Sequence, residues 1–411
     1  MNKCKLLKNF NSLVIYQTKA FEVFSLSQLF LFEKPLGMRD RLPHQHHLQN
    51  KISTQLLKTI GEWGYEKVQT PALEYFETVG KLSAIPDQQL FKCFDLSGNT
   101  LVLRPDMTAP IARLVSSTMK KESFPLRLSY HSNLYRAQQL EGGRPAEFEQ
   151  VGVELIGDAT TSGDSEIVVL FQEAMQTIGL EKYQLVLGHI GFIRALLNEL
   201  VPGEQAEQLQ RSLFEKNDVG YREAVHTYEL PLDIENRLIQ LLELRGDAHV
   251  VDEAEQLVTS DEGKKAIDEL RGIWDVLQEE GIESFVQFDL STVLHMSYYT
   301  GFVFEAFHED VAQALGGGGR YDQLLKKFGR TAPATGFGLR VDLLSEVYSR
   351  ENEPDQKWCV LYHHSRRKEA YSKAAELRQS GKAVIVQDQA GLSENWMNEQ
   401  VELAYIHLEE E

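Results

Sequence analysis

The sequence predicts an α+β fold: an antiparallel sheet flanked by helices, with a helical insertion and a small C-terminal α/β segment. Three observations lead there. Strand-like runs occur mostly as hairpins, amphipathic helices separate them, and residues 191–280 are almost wholly helical in pattern. Beyond residue 350 a short strand–helix–strand pattern follows a polar, Pro-bearing linker.

The elements follow in order. Within PHQHHLQNKISTQLLKTIGEWGY, Leu48, Ile52, Leu56, Ile60 and Trp63 recur at helical spacing, and Gly64 supplies the stop. YEKVQTPALEY reads as a strand interrupted by Pro71, which an edge tolerates. FKCFDLSGNTLVLRPD is a hairpin around Ser97-Gly98-Asn99, and Thr108 to Met119 reads as a helix. LRLSYHSNLYR and EFEQVGVELIG are strands on either side of Gly142-Gly143, followed by an amphipathic helix over 164–178 and a strand over 184–190. After the helical stretch, SFVQFDLS and YYTGFVFEAF return to strand. GGGGRYDQLLKKFG is expected to be a glycine turn leading into a helix, and ATGFGLRVDLLSEVY closes with another. The expected division is a tail over 1–33, a main domain over 34–345 containing the insertion, and a segment over 355–411.

The composition narrows the class. At 411 residues, with 42% hydrophobic and 25% charged, the chain is an ordinary globular protein of two or three domains. Its net charge of -19, without a long basic run, argues against nucleic-acid binding, because neutralising phosphates takes clustered Lys and Arg. Cys4, Cys93 and Cys359 have neither disulfide-framework nor metal-ligand spacing, so a reducing cytoplasm is expected. No apolar run reaches the roughly 18 residues of a membrane span. The first 33 residues have some basic and apolar character but lack the clean hydrophobic stretch and cleavage site of a leader, and read as a loose tail or an over-long start.

Candidate chemistry lies in carboxylates. Asp106 closes a strand with Thr108 two residues on, and the strand period of two puts Gln150 and Glu154 on one face. Two acids, an amide and a hydroxyl can receive an ammonium group and hydrogen-bond a polar ring; Tyr298 and Tyr299 add phenols or aromatic walls. The same spacing fits polar residues alternating toward solvent, and spacing alone leaves both readings open. Arg136 and Arg144 flank QQLEGG and can grip phosphate or carboxylate oxygens, or simply be solvated. GGGGRYD lacks the Lys-Ser/Thr ending of a phosphate loop. His44, His46, His47, His363 and His364 have no partners at metal spacing, so no metal or cofactor is expected. No serine elbow or Cys-His signature supplies a nucleophile, and no catalytic residue is assigned.

Taken in order, these segments resemble histidyl-tRNA synthetase across its class II catalytic domain, from PLGMRDRLP to GFGLRVDLL. GYEKVQTPALEY resembles the first motif, LVLRPDMTAPIAR the family's LRPEGT segment, LYRAQQLEGGRPAEFEQVGVELIG the second motif, and GGGGRYDQLL with ATGFGL the approach to the third. The resemblance implies that Asp106, Thr108, Gln150, Glu154, Tyr298 and Tyr299 surround bound histidine and that Arg136 matches the arginine gripping a nucleotide phosphate. Asp106 stands where the family has Glu.

The departures are informative. By the resemblance, Leu294 replaces a catalytic arginine and Leu343 the arginine of the third motif; Gln138 and Ser297 replace acids. Adenylation develops negative charge that preorganised cations must stabilise, so such a pocket is expected to bind without reacting. Together with a short, acidic tail, this resembles the regulatory-subunit family of ATP phosphoribosyltransferase, in histidine biosynthesis. The resemblance implies a short-form catalytic partner in a hetero-oligomer, a homodimer built through the first motif, and histidine as effector. The alternative is an active or degenerate histidyl-tRNA synthetase with a truncated anticodon domain.

Overall fold

The computed structural model of the chain describes residues 32–137, 145–292, 298–348, 357–393, 396 and 403–408. It divides into two compact units after Tyr348. In the first, helix α1 (Pro43–Glu62) starts with proline, whose missing N–H costs nothing in a first turn. Its buried Ile52, Leu56 and Ile60, four residues apart, form one stripe against the core.

The expected strand around Pro71 is two short strands, β1 (Glu66–Lys67) and β2 (Leu73–Tyr75), in different sheets. Proline removes a ladder donor, so the chain changes partners there. β2 joins β3 (Lys92–Phe94) and β4 (Thr100–Leu103) in a small antiparallel sheet. Helix α2 (Thr108–Ser117) follows.

The main sheet has nine strands among the described residues. β5 (Leu126–Tyr135) and β6 (Glu147–Ile156) pair over ten residues. β7 (Gln184–His189), β8 (Arg245–Gly246), β9 (Val286–Asp289), β10 (Phe302–His308), β11 (Val311–Arg320) and β12 (Ala334–Arg340) complete it in the order β1-β5-β6-β12-β11-β10-β7-β9-β8. The six central strands are antiparallel; β1–β5 and β7–β9 are parallel, so the sheet is mixed rather than purely antiparallel. The four glycines Gly316–Gly319 do not form the expected turn into a helix. They lie inside β11, at the sheet centre, paired with β10 and β12.

Helix α3 (Thr161–Thr177), capped by the Thr160 side chain, packs with α1 on one face of the sheet. Its Phe171 meets Phe304 and Phe337 edge-on at 5.1 and 5.2 Å. Buried Arg320, at the end of β11, donates from Nε to Asp164 Oδ2 of α3 at 2.9 Å, joining the two layers.

Between Ile190 and Glu279 run six helices: α4 (Ile190–Leu200), α5 (Gly203–Phe214), α6 (Asp218–Thr227), α7 (Leu232–Leu241), α8 (His249–Glu255) and α9 (Asp261–Glu279). Glu199 of α4 accepts from the Thr259 and Ser260 backbone N–H groups at 2.9 and 3.1 Å and from Arg237 at 2.6 Å. Burial is the largest single influence and pushes its pKa up, but these bonds together outweigh it and hold the pKa down to about 2. Glu199→Ala should cost about 1.5–3 kcal/mol at neutral pH by chemical denaturation, the usual scale for bonds to a charged group. A depressed carboxylate stabilises above its ordinary value of 4.5, and the difference from wild type should disappear as pH falls toward 2.

Short helix α10 (Leu324–Lys327) follows β11, and α11 (Val341–Val347) closes the unit. The second unit holds β13 (Lys357–Tyr362), α12 (Arg367–Gln379), β14 (Val384–Asp388) and β15 (Leu403–Leu408). Its parallel sheet β14-β13-β15 packs Val360 and Tyr362 against Ala370 and Ala374 of α12.

Candidate functional site

Alternation along β6 gives the sheet two chemistries. Val151, Val153 and Leu155 enter the core, while Gln150, Gly152 and Glu154 face the other way. Tyr130 lies opposite Gly152 in register and donates its phenol proton to Gln150 Oε1 at 2.9 Å. Gly336 lies opposite Glu154, and a Cβ there would sit 2.3 Å from Glu154 Oε2. Glycine makes the room.

Asp106 precedes α2, where its Oδ1 accepts the Ala109 N–H at 2.9 Å. Its Oδ2 is buried with no hydrogen-bond partner among the described residues. A buried acceptor left open is costly, so it marks a place for a donor. Burial pushes the Asp106 pKa up. Glu154, 2% exposed, accepts from Tyr321 and Thr108. Burial, helped by the Asp106 charge and opposed by those two bonds, pushes its pKa up to about 8. Tyr298 donates to Thr108 Oγ1 at 3.4 Å, and its ring lies 5.1 Å from Tyr299 and 5.6 Å from Tyr321.

Asp106, Thr108, Gln150, Glu154, Tyr298 and Tyr299 therefore line one narrow cavity of about 60 Å³, with Arg136 at its edge. Arg136 donates from Nε to the Pro105 carbonyl at 2.9 Å. Its guanidinium lies 5.2 Å from the Phe148 ring centroid. Arg340, unforeseen in the sequence, lies 3.9 Å from the same centroid and is held by Asp342 at 2.9 and 2.6 Å. Guanidinium groups are thus present beside the cavity. Tyr130, Tyr321 and Arg340 were missed; the register of β6 with β5 and β12 is the signal that finds Tyr130 and Arg340.

Arg144, Leu294, Gln138 and Ser297 lie outside the described residues. Leu343, the hydrocarbon at the third-motif position, does not line the cavity; it is buried in the main core, on the inner face of α11 with Val341 and Leu344. Leu343→Arg would bury a guanidinium there, and should cost about 3 kcal/mol or more in chemical denaturation without creating an ATP-dependent reaction.

A larger cavity, about 640 Å³, lies between α4 and α9, but none of its lining residues carries a buried, unpartnered polar atom among the described residues. His189 Nδ1 accepts the Phe192 N–H at 3.1 Å while Nε2 bonds Glu269 at 2.9 Å. No group of three metal-ligating side chains and no helix able to cross a membrane occurs among the described residues.

The mixed sheet, the helices behind it and the acid-lined cavity in front define a histidyl-tRNA synthetase-like class. The family model described as "Histidyl-tRNA synthetase" matches residues 37–344, and one described as "Histidyl-tRNA synthetase HisZ, C-terminal domain" matches 359–395. A histidyl-tRNA synthetase structure from Nostoc sp. shares the fold at a TM-score of 0.75 and 17% identity, covering 90% of this chain and 88% of that one.

Nearer relatives narrow the assignment. An ATP phosphoribosyltransferase regulatory subunit from Shouchella clausii is 56% identical over 370 residues, covering 90% of this chain and 94% of the relative. That of Bacillus subtilis is 48% identical, covering 89% and 93%. The crystal structure of an ATP phosphoribosyltransferase regulatory subunit/histidyl-tRNA synthetase from Bacillus halodurans superposes with a TM-score of 0.87 at 48% identity, covering 93% of this chain and 99% of that one. The chain belongs to the ATP phosphoribosyltransferase regulatory subunit family.

Proposed function

We propose that this chain is the regulatory and assembly subunit of a two-component ATP phosphoribosyltransferase, and that its acid-lined cavity binds histidine as an effector. The observation that carries the ligand reading is the open, buried Asp106 Oδ2 beside Glu154. Paired carboxylates with phenol and amide groups match an ammonium and an imidazole. Regulation then requires that histidine bind one state of the complex better than another, by about 1–3 kcal/mol.

Self-association as a dimer is supported by the small sheet. Leu73 and Tyr75, 43% and 53% exposed, share a face with Leu101 and Leu103 across β4, beside exposed Cys93. Exposed apolar faces of this kind mark protein contacts. Residues 191–280 serve as an insertion into the synthetase-like unit, and the segment after residue 355 replaces an anticodon-reading domain.

Co-expression with the short catalytic subunit is the deciding test. Phosphoribosyl-ATP formation should need both chains; full activity of the catalytic chain alone would refute the assignment. The guanidinium groups of Arg136 and Arg340 beside Phe148 favour one rival, a residual synthetase activity. Histidine-dependent exchange of pyrophosphate into ATP would reveal it.

A further inference from the structure

The candidate pocket shares Arg136, Gln150, Tyr299, Gly317 and Gly338 with an adjoining cleft of about 290 Å³. One lysine of the helical insertion, Lys216, lines that cleft, and so does Glu305 of β10.

Lys216 occupies the corner between α5 and α6. Its N–H donates to the Leu213 carbonyl at 3.0 Å, and the next N–H, of Asn217, donates to Ser212 at 2.9 Å. This is the paired-bond ending of a helix in which glycine is the usual residue, because the chain turns left-handed. Lys216 takes that turn at φ 52°, a backbone conformation that strains a residue with a Cβ. Asn217 immediately caps α6 by accepting the Gly220 N–H at 2.8 Å, so the corner is held from both sides. A non-glycine residue at a strained corner, with its side chain lining a cleft, calls for a function.

Glu305 is its complement. It pairs with Gly317 of β11 and makes no hydrogen bond or ion pair with a described residue. Burial pushes its pKa up, and the Lys216 charge draws it down. The two side chains face the same cleft without being in ion-pair contact.

We propose that Lys216 and Glu305 form a charged latch that fastens the insertion to the sheet when the neighbouring pocket fills. The latch rests on the reading of that pocket as a histidine site and supplies its route outward. A ligand against Tyr299 and Gln150 displaces water from the wall they share with Glu305. Attraction between the carboxylate and the ammonium strengthens as the local dielectric falls. The α5–α6 corner is drawn in, and occupancy is passed to helices far from the ligand.

The test pairs calorimetric titration of the full chain with histidine and hydrogen exchange over residues 203–227. In wild type, histidine should slow exchange there by about fivefold or more, the lower end of ordinary coupling. Lys216→Ala and Glu305→Gln should still bind histidine, yet lose that slowing. Lys216→Gly, which also relieves the left-handed turn, should lose it while exchanging no faster than wild type without ligand. Slowing that persists in all three variants would overturn the latch, as would histidine binding to wild type with unchanged exchange. No histidine heat in wild type would instead overturn the pocket reading beneath it.

Discussion

Replacing Glu154 with alanine should weaken histidine binding roughly 100-fold in calorimetric titration, since a hydrogen bond to a charged partner is worth about 3 kcal/mol. The carboxylate is the most enclosed acid of the cavity, fixed by Tyr321 and Thr108 rather than by a cation. Removing it leaves those two donors and the ligand's own donor unpaired. An unchanged titration would remove the pocket assignment.

The same residue carries a pH signature. Its native pKa of about 8 stands above the ordinary 4.5, so the folded chain keeps a proton that the unfolded chain has released. Stability from this group therefore falls as pH rises from 4.5 through 8. Glu154→Gln, which cannot ionise, should unfold at a higher temperature than wild type at pH 9 while differing little at pH 4. Affinity for a cationic ligand should run the other way in wild type, tightening as pH approaches 8 and the carboxylate ionises.

Gly318→Ala should cost more than about 4 kcal/mol and leave little folded protein, because the obstacle is backbone. A Cβ at this position would lie 2.0 Å from the Gly336 carbonyl and 2.8 Å from Phe337 Cα, both in the neighbouring strand. Neither can step aside without parting β11 from β12. Gly61→Ala is the internal control: nothing lies within 4 Å of its added Cβ, on the exposed side of α1, and the change should be neutral or stabilising. Circular dichroism and urea titration of the two variants would separate crowding from a general glycine effect.

Much of this was legible in the sequence. Helices announced themselves by apolar spacing, as Ile52, Leu56 and Ile60 do. Six pocket residues could be named because alternation and motif order survive without coordinates. Contacts that depend on register between distant strands were not legible. Tyr130 meets Gly152 and Arg340 meets Gln150 only once β5, β6 and β12 are aligned. The glycine run was misread because glycine weakens an isolated strand, and its value lies in how closely β10 and β12 approach. Motif order marks Leu343 as the place of a missing arginine, but only the start of α11 at Val341 shows that its side chain turns into the core.

The central strands also set how thick the floor of the pocket is. Gly317, Gly336 and Gly338 contribute no side chains there, while Phe171, Phe304 and Phe337 stack edge to face on the underside. A single peptide layer, like a board laid on aromatic joists, separates the ligand space from the hydrocarbon interior. Trimming Phe171, which never reaches that space, would let the board sag, so the cavity's shape is held from beneath as much as by the residues that line it.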